Sequence, residues 1–162
     1  MKKAITFLTL FALLMLALCS CVDTSTPQSQ GSGSAASNNS PTSNLGDYNV
    51  VIESCRLATD YEGKPIVIVK YTFTNNGDEP ASFMFSLECN AFQDGIGLNK
   101  CYFVDDSANY SSDNQTKEIK KGASLTVEVA YELNNSTTDV EIEVSELISF
   151  SDKKITKIFS IT

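Results

Sequence analysis

The sequence predicts an all-β fold: an immunoglobulin-like antiparallel β-sandwich of seven to eight strands, preceded by a signal peptide and a disordered linker. Three observations predict it. From Asp47 to Thr162 the chain is rich in Val, Ile, Phe, Tyr and Thr, the residues that fit a pleated, half-buried surface. Apolar side chains recur there with a period of two, and no stretch shows a sustained helical stripe. Clusters of Gly, Asn, Asp and Pro interrupt the alternation at short intervals, which is the spacing of a sandwich. A small barrel is the alternative.

The first element is an address. Lys2 and Lys3 make a positive start, and the predominantly apolar run Ala4 to Leu18 has the length of a signal core. Leu18-Cys19-Ser20-Cys21 then resembles the lipobox of bacterial lipoproteins. Cleavage before Cys21 would leave an amino-terminal Cys whose sulfur takes a diacylglycerol. That assigns 1–20 to a lipoprotein signal peptide and Cys21 to lipidation. The partner is then a lipid bilayer, with stable anchoring once two or more acyl chains are present. Residues 21–46 read as the lipidated Cys plus a Ser/Asn/Gly-rich linker, with Asp23 the one charge and no aromatic residue. Such a segment cannot bury enough apolar surface to offset its ordering entropy. As a flexible coil it would average about 25–30 Å end to end.

Residues 47–162 read as the β-sandwich domain, long enough to fold alone. Strands are expected at 48–58, 66–75, 82–92, 98–104, a short 117–119, 124–134, 139–148 and 155–161. Val67, Val69, Tyr71 and Phe73 share one face of the second. Phe83, Phe85, Leu87 and Cys89 share one face of the third. Leu125, Val127, Val129, Tyr131 and Leu133 share one face of a later strand, and Val140, Ile142 and Val144 one face of the next. Asp60 to Pro65, Asn75 to Pro80, Lys120-Lys121-Gly122 and Asn134-Asn135-Ser136 are the turns between runs. Asp94-Gly95 closes a hairpin between Phe92 and Leu98.

The domain also resembles a known group as a whole. The residues that carry the resemblance are Asp60-Tyr61-Glu62-Gly63-Lys64, Tyr71-Thr72-Phe73-Thr74-Asn75-Asn76, Phe92-Gln93-Asp94-Gly95, Lys117 to Leu125 and Glu146-Leu147. With them the chain is similar to the bacterial lipoproteins of domain-of-unknown-function family 5067. The resemblance implies a Gram-positive host of the Firmicute kind and an immunoglobulin-like fold. It implies no activity and no catalytic residue.

Composition excludes several function classes. The chain has no His, so Ser-His-Asp triads, Cys-His pairs and His-ligated zinc are out of reach. Net charge is −8, and loss of Lys2 and Lys3 with the signal leaves the mature chain more acidic still. No basic stripe is available for a phosphate backbone, so no nucleic-acid partner is expected. There is also no phosphate loop, paired CxxC, dinucleotide fingerprint or nucleophile elbow.

Three groups of residues remain as candidates. Cys55, Cys89 and Cys101 lie in a compartment that permits disulfides. A hairpin centred on Gly95 would set Cys89 opposite Cys101 for a bridge. Cys55–Cys101 is a second possibility, and three buried free thiols a third. The loop 105–114 is long and polar, and Asp105, Asp106 and Asp113 carry carboxylates of the kind calcium selects. Their spacing follows no ligand ladder. Calcium is therefore secondary, and otherwise no cofactor is expected. Asp105, Asp106, Asn109, Tyr110, Asp113 and Asn114 are instead read as a contact loop, together with 93–97, because loops at sandwich ends often bind. Finally, Glu128, Glu132, Glu141, Glu143 and Glu146 alternate along two consecutive strands. If those strands pair, their outer face is acidic and could hold a carboxylate pair for glycoside cleavage.

The function expected from all this is not catalytic. The chain reads as a monomeric lipoprotein held at the extracellular face of the cytoplasmic membrane. Its sandwich would bind an envelope protein or glycan. The competing readings are a carboxylate-based wall-glycan hydrolase and a purely structural surface spacer.

Overall fold

The computed structural model describes residues 43–161; the signal segment 1–20, Cys21 and most of the linker lie outside the described residues. The described chain forms β1 (Ser43–Leu45), β2 (Tyr48–Thr59), β3 (Pro65–Asn75), a helical turn α1 (Phe83–Ser86), β4 (Leu87–Gln93), β5 (Ile96–Gly97), β6 (Ser124–Glu132), β7 (Val140–Glu146) and β8 (Lys154–Phe159). Two antiparallel sheets result, one in the order β1-β2-β3-β6 and the other β5-β4-β7-β8. This is the all-β sandwich that the alternation predicts.

The main core lies between the sheets. Val67, Val69, Tyr71 and Phe73 of β3 meet Leu87, Cys89 and Ala91 of β4 and Val140, Ile142 and Val144 of β7. Tyr71 packs against Phe83 at 5.3 Å, and Phe83 meets the edge of Phe73 at 5.9 Å. A second, smaller cluster of Ile66, Ile68, Cys101 and Ala130 sits on the opposite face of the first sheet. A loop covers that face. Residues Ile66 to Val69 are therefore buried without interruption, as a strand covered on both sides must be.

Four expectations are corrected. The folded part starts before Asp47: β1 pairs with β2 through Leu45↔Tyr48, and Leu45 is buried. The run 82–92 is not one strand. Ser82 accepts from Ser86 N–H at 3.1 Å and closes one helical turn before β4 begins. The turn shifts the phase, so Phe83 goes to the core while Phe85 points to solvent. Segments 98–104 and 117–119 make only isolated bridges: Lys100↔Tyr131, Asp60↔Val104 and Ala81↔Ile119.

The last correction concerns the thiols. Asp94 (φ 52°) and Gly95 (φ 75°) form a two-residue turn, with Phe92↔Gly97 and Gln93↔Ile96 as its pairs. That register is centred between Asp94 and Gly95, not on Gly95. The partner of Cys89 by extrapolation is therefore Lys100, not Cys101. The ladder also ends early, and Cys101 N–H bonds Ala130 C=O in the other sheet at 2.8 Å. Cys89 sits in the main core, while Cys101 sits in the small cluster beyond the first sheet. Cys55, paired in register with Val69, packs against the main core and is likewise separated from Cys101. All three are free thiols, so neither Cys89–Cys101 nor Cys55–Cys101 forms.

Candidate functional site

Residues 99–116 build the most elaborate surface of the described molecule. After β5 the chain crosses to the first sheet, caps the free edge of β6, and folds back over the outer face of β3 and β2. Glu132 N–H bonds Asn99 C=O at 2.9 Å, Asp105 N–H bonds Thr59 C=O at 3.1 Å, and Tyr61 N–H bonds Phe103 C=O at 3.1 Å. Val104, Ala108 and Tyr110 then pack on Ile66 and Ile68.

Two long polar side chains pin this loop. Arg56 projects outward from β2, donates to the Glu128 carboxylate from both terminal guanidinium nitrogens, and reaches Ala108 C=O at 3.3 Å. The Glu128 partnership holds the Arg56 guanidinium even further above its usual value. Gln115 is buried, and its amide donates to Glu128 C=O at 2.6 Å and to the Tyr110 hydroxyl at 3.1 Å. Burial pushes the Tyr110 phenol up.

Two concavities flank the crest Lys100-Cys101-Tyr102. One, of about 210 Å³, is lined by Met84, Tyr102, Tyr110, Asp113, Gln115 and Val129, among others. The other, of about 280 Å³, lies at the end of the sheet between the turn Asp60–Lys64 and residues Tyr102, Phe103 and Glu132. Its aromatic rings face solvent: Tyr61 is 65% exposed, Tyr102 73% and Phe103 70%. The Tyr61 and Phe103 rings meet edge to face at 5.7 Å. The turn beneath them is rigidly built. Asp60 is buried, and its Oδ1 accepts from Glu62 N–H at 2.9 Å and Lys64 N–H at 2.8 Å. Gly63 supplies the positive φ of 82° that the turn requires. Glu62 pairs with Lys64, which holds the Glu62 carboxyl below its usual value. Carboxylates and lysines are thus interleaved around exposed rings, with no dominant sign.

The structure divides the expected contact loop. Tyr110 and Asp113 line the first concavity. Asp105 instead caps a single turn of 3-10 helix (Asp106–Ala108), accepting from Ser107 N–H at 2.9 Å and from the Ser107 hydroxyl. Those bonds lower its pKa. Asn109 takes the left-handed conformation at the end of that turn, and Asn114 donates to Thr126 C=O at 2.9 Å. Asp106 and Asp113 start separate 3-10 turns. Among the described residues no three acidic or thiol groups converge, and Asp105, Asp106 and Asp113 form no such cluster. Of the 93–97 hairpin, Gln93 is buried and structural.

The acidic face also dissolves. β6 and β7 follow one another in sequence but lie in different sheets. Glu128 sits with Arg56 on the outside of one sheet, and Glu143 pairs with Lys154 on the outside of the other. The expected carboxylate pair has no shared cleft. Burial pushes the Cys89 thiol up to about 12 and raises those of Cys55 and Cys101, which favours the protonated form.

Sequence reasoning missed Tyr61, Tyr102 and Phe103. The one available signal was Tyr102-Phe103: two adjacent large aromatics cannot both point inward from a strand.

A family model described as "Domain of unknown function (DUF5067)" matches residues 23–146. No curated protein matches the chain. Among solved structures, a candidate lipoprotein from Staphylococcus aureus subsp. aureus NCTC 8325 superposes with a TM-score of 0.57 at 19% identity, covering 71% of this chain and 84% of that one. A protein from Enterococcus faecalis gives 0.52 at 20% identity, covering 72% and 86%. The yjhA protein from Bacillus subtilis gives 0.52 at 11% identity, covering 74% and 94%. At these identities the likeness is one of fold.

Proposed function

The chain belongs to the DUF5067 family, and from that premise we propose that it is a lipid-anchored cell-envelope binding module without catalytic activity. The anchor is Cys21, read from the Leu18-to-Cys21 lipobox, and it places the sandwich on the extracellular face of a Gram-positive membrane. The observation that supports binding is the end concavity, where Tyr61, Tyr102 and Phe103 stand exposed around interleaved acids and lysines. Exposed rings that contact little else are costly to leave in water, and grouped around a concavity they favour a ligand with apolar faces. A glycan fits well: pyranose rings offer C–H faces for stacking and hydroxyls for Glu62, Lys64 and Glu132. An envelope protein is the other partner class.

The separation of Glu128 from Glu141 and Glu143 argues against a hydrolase built on a carboxylate pair across β6 and β7. The test is retention of envelope polymers by the full acylated chain in nanodiscs, against a Tyr61→Ala/Phe103→Ala variant. Retention that drops at least about tenfold in the variant supports the reading, since clustered aromatics dominate such contacts. Retention equal in both would refute the aromatic site. No retention by either would leave the chain a spacer.

A further inference from the structure

The sandwich has two unlike ends. β2 is 12 residues long and leads from one to the other, a span of about 40 Å. The far end carries the Tyr61–Phe103 concavity. The near end carries α1, the β1–β2 turn at Gly46, and the loop 147–153 between β7 and β8. These lie together: Leu147 N–H bonds Ser86 C=O at 3.0 Å, and a Cβ on Gly46 would collide with the Glu146 carboxylate.

The near end is apolar at its tip. Ile148 is 86% exposed, Phe150 fully exposed, Phe85 71% and Leu147 47%. Four large apolar side chains thus stand exposed at one end of the sandwich, where a cover would remove them from water. The chain enters the described domain beside it, through β1, whose three residues pair with the near half of β2. Ahead of β1 the sequence has the linker that runs back to Cys21.

We infer that this apolar end docks on the lipid bilayer, with Ile148 and Phe150 at the level of the acyl boundary, and that the aromatic concavity is thereby presented away from the membrane. The inference rests on the Cys21 anchor. Anchoring supplies a bilayer at high effective concentration, so a few apolar side chains suffice to hold an orientation. Charge does not drive the contact. Glu88, Glu146 and Asp152 surround the loop along with Lys153 and Lys154, so docking should depend little on the fraction of anionic lipid.

The chain contains no Trp, which makes a single-reporter experiment clean. Full-length acylated Phe150→Trp and Tyr61→Trp proteins are reconstituted in phosphatidylcholine–phosphatidylglycerol vesicles with or without brominated acyl chains. Both sites are exposed, so neither change threatens the fold. Bromolipid should quench F150W at least about threefold more than Y61W, because an interfacial side chain sits within about 10 Å of the acyl boundary. Adding Ile148→Asp to F150W should bring the quenching down to the Y61W level. Equal quenching of the two reporters in proteins that co-sediment with vesicles would overturn the docking and leave the anchor intact. Failure to co-sediment would overturn the anchor and the docking together. Emission of F150W that shifts blue with protein concentration in lipid-free buffer would assign the patch to a second copy of the chain instead.

Discussion

Gln93 shows how much one buried polar side chain can hold. It sits at the end of β4, fully inside, and its amide nitrogen donates to Asn135 C=O at 3.1 Å and Thr138 C=O at 2.8 Å. Its amide oxygen accepts from Asn134 N–H at 2.9 Å and Asn135 N–H at 3.3 Å. The crossover from one sheet to the other is thereby tied to the β4–β5 hairpin. Gln93→Leu keeps the volume but strands those backbone groups, and should lower stability by about 3 kcal/mol in urea unfolding. Glu53 makes a pH-dependent contribution. The Thr72 hydroxyl does most to hold its carboxyl below the ordinary 4.5; burial opposes it, and Lys70 adds to the lowering. A carboxyl depressed in the folded state stabilises above its unfolded value, and that contribution disappears as pH falls through the folded value. The urea midpoint should therefore fall as the pH drops below about 4.5, and Glu53→Gln should make that fall shallower. An unchanged acid slope in the variant would contradict the assignment.

At the scale of elements, the turn α1 is the clearest departure from alternation. Phe83 and Phe85 are two apart in sequence, and a strand would have buried both on one face. The helical turn buries Phe83 against Tyr71 and Phe73 and exposes Phe85. Phe83→Ala should cost about 3–5 kcal/mol, whereas Phe85→Ala should stay within about 0.5 kcal/mol. Thermal melts of the two variants check this, and equal losses would restore a continuous strand. The edges of the sandwich are also managed by particular residues. β2 carries a bulge between Ile52 and Ser54. Lys157 of β8 donates to the carbonyls of Ile52 and Glu53 there, each at 2.8 Å, and lies over the Phe159 ring at 4.9 Å. A lysine thus ties the edge of one sheet to the other where backbone groups would otherwise lie open.

At the scale of the whole molecule, the core does the work that a disulfide performs in many exported domains. With Cys55, Cys89 and Cys101 all free, and Cys101 in a cluster apart from the core that holds the other two, the melting temperature should be the same with and without reductant. A bridge closing even a short loop would contribute about 3 kcal/mol, which is several degrees for a domain of this size. A reductant-dependent melt would therefore contradict the free-thiol arrangement. The two ends of the sandwich differ in kind: exposed aromatics mixed with charge at one, a bare aliphatic and aromatic tip at the other. With the proposed anchor at Cys21, this polarity would give the domain a reason to be oriented rather than merely suspended.

The fold class was legible because period-two alternation is a local property, written into Val67 to Phe73 and Val140 to Val144 whatever their partners. The Asp94-Gly95 turn is equally local. The candidate site was half legible: Tyr110 and Asp113 stood out as loop residues. Tyr61, Tyr102 and Phe103 come together only when a turn at one end of β2 meets the segment after β5. Sequence distance hid the rest. The strands β6 and β7 are neighbours in the chain, yet a crossover places their glutamates on opposite outer faces. Cys89 and Cys101 looked symmetric about a turn, yet a half-residue shift in its centre and an early end to the ladder send them to different cores. Local patterning determined which segments are strands and which side faces inward. Pairing, register and crossovers are set by long-range packing, and that packing alone decided which side chains share a site.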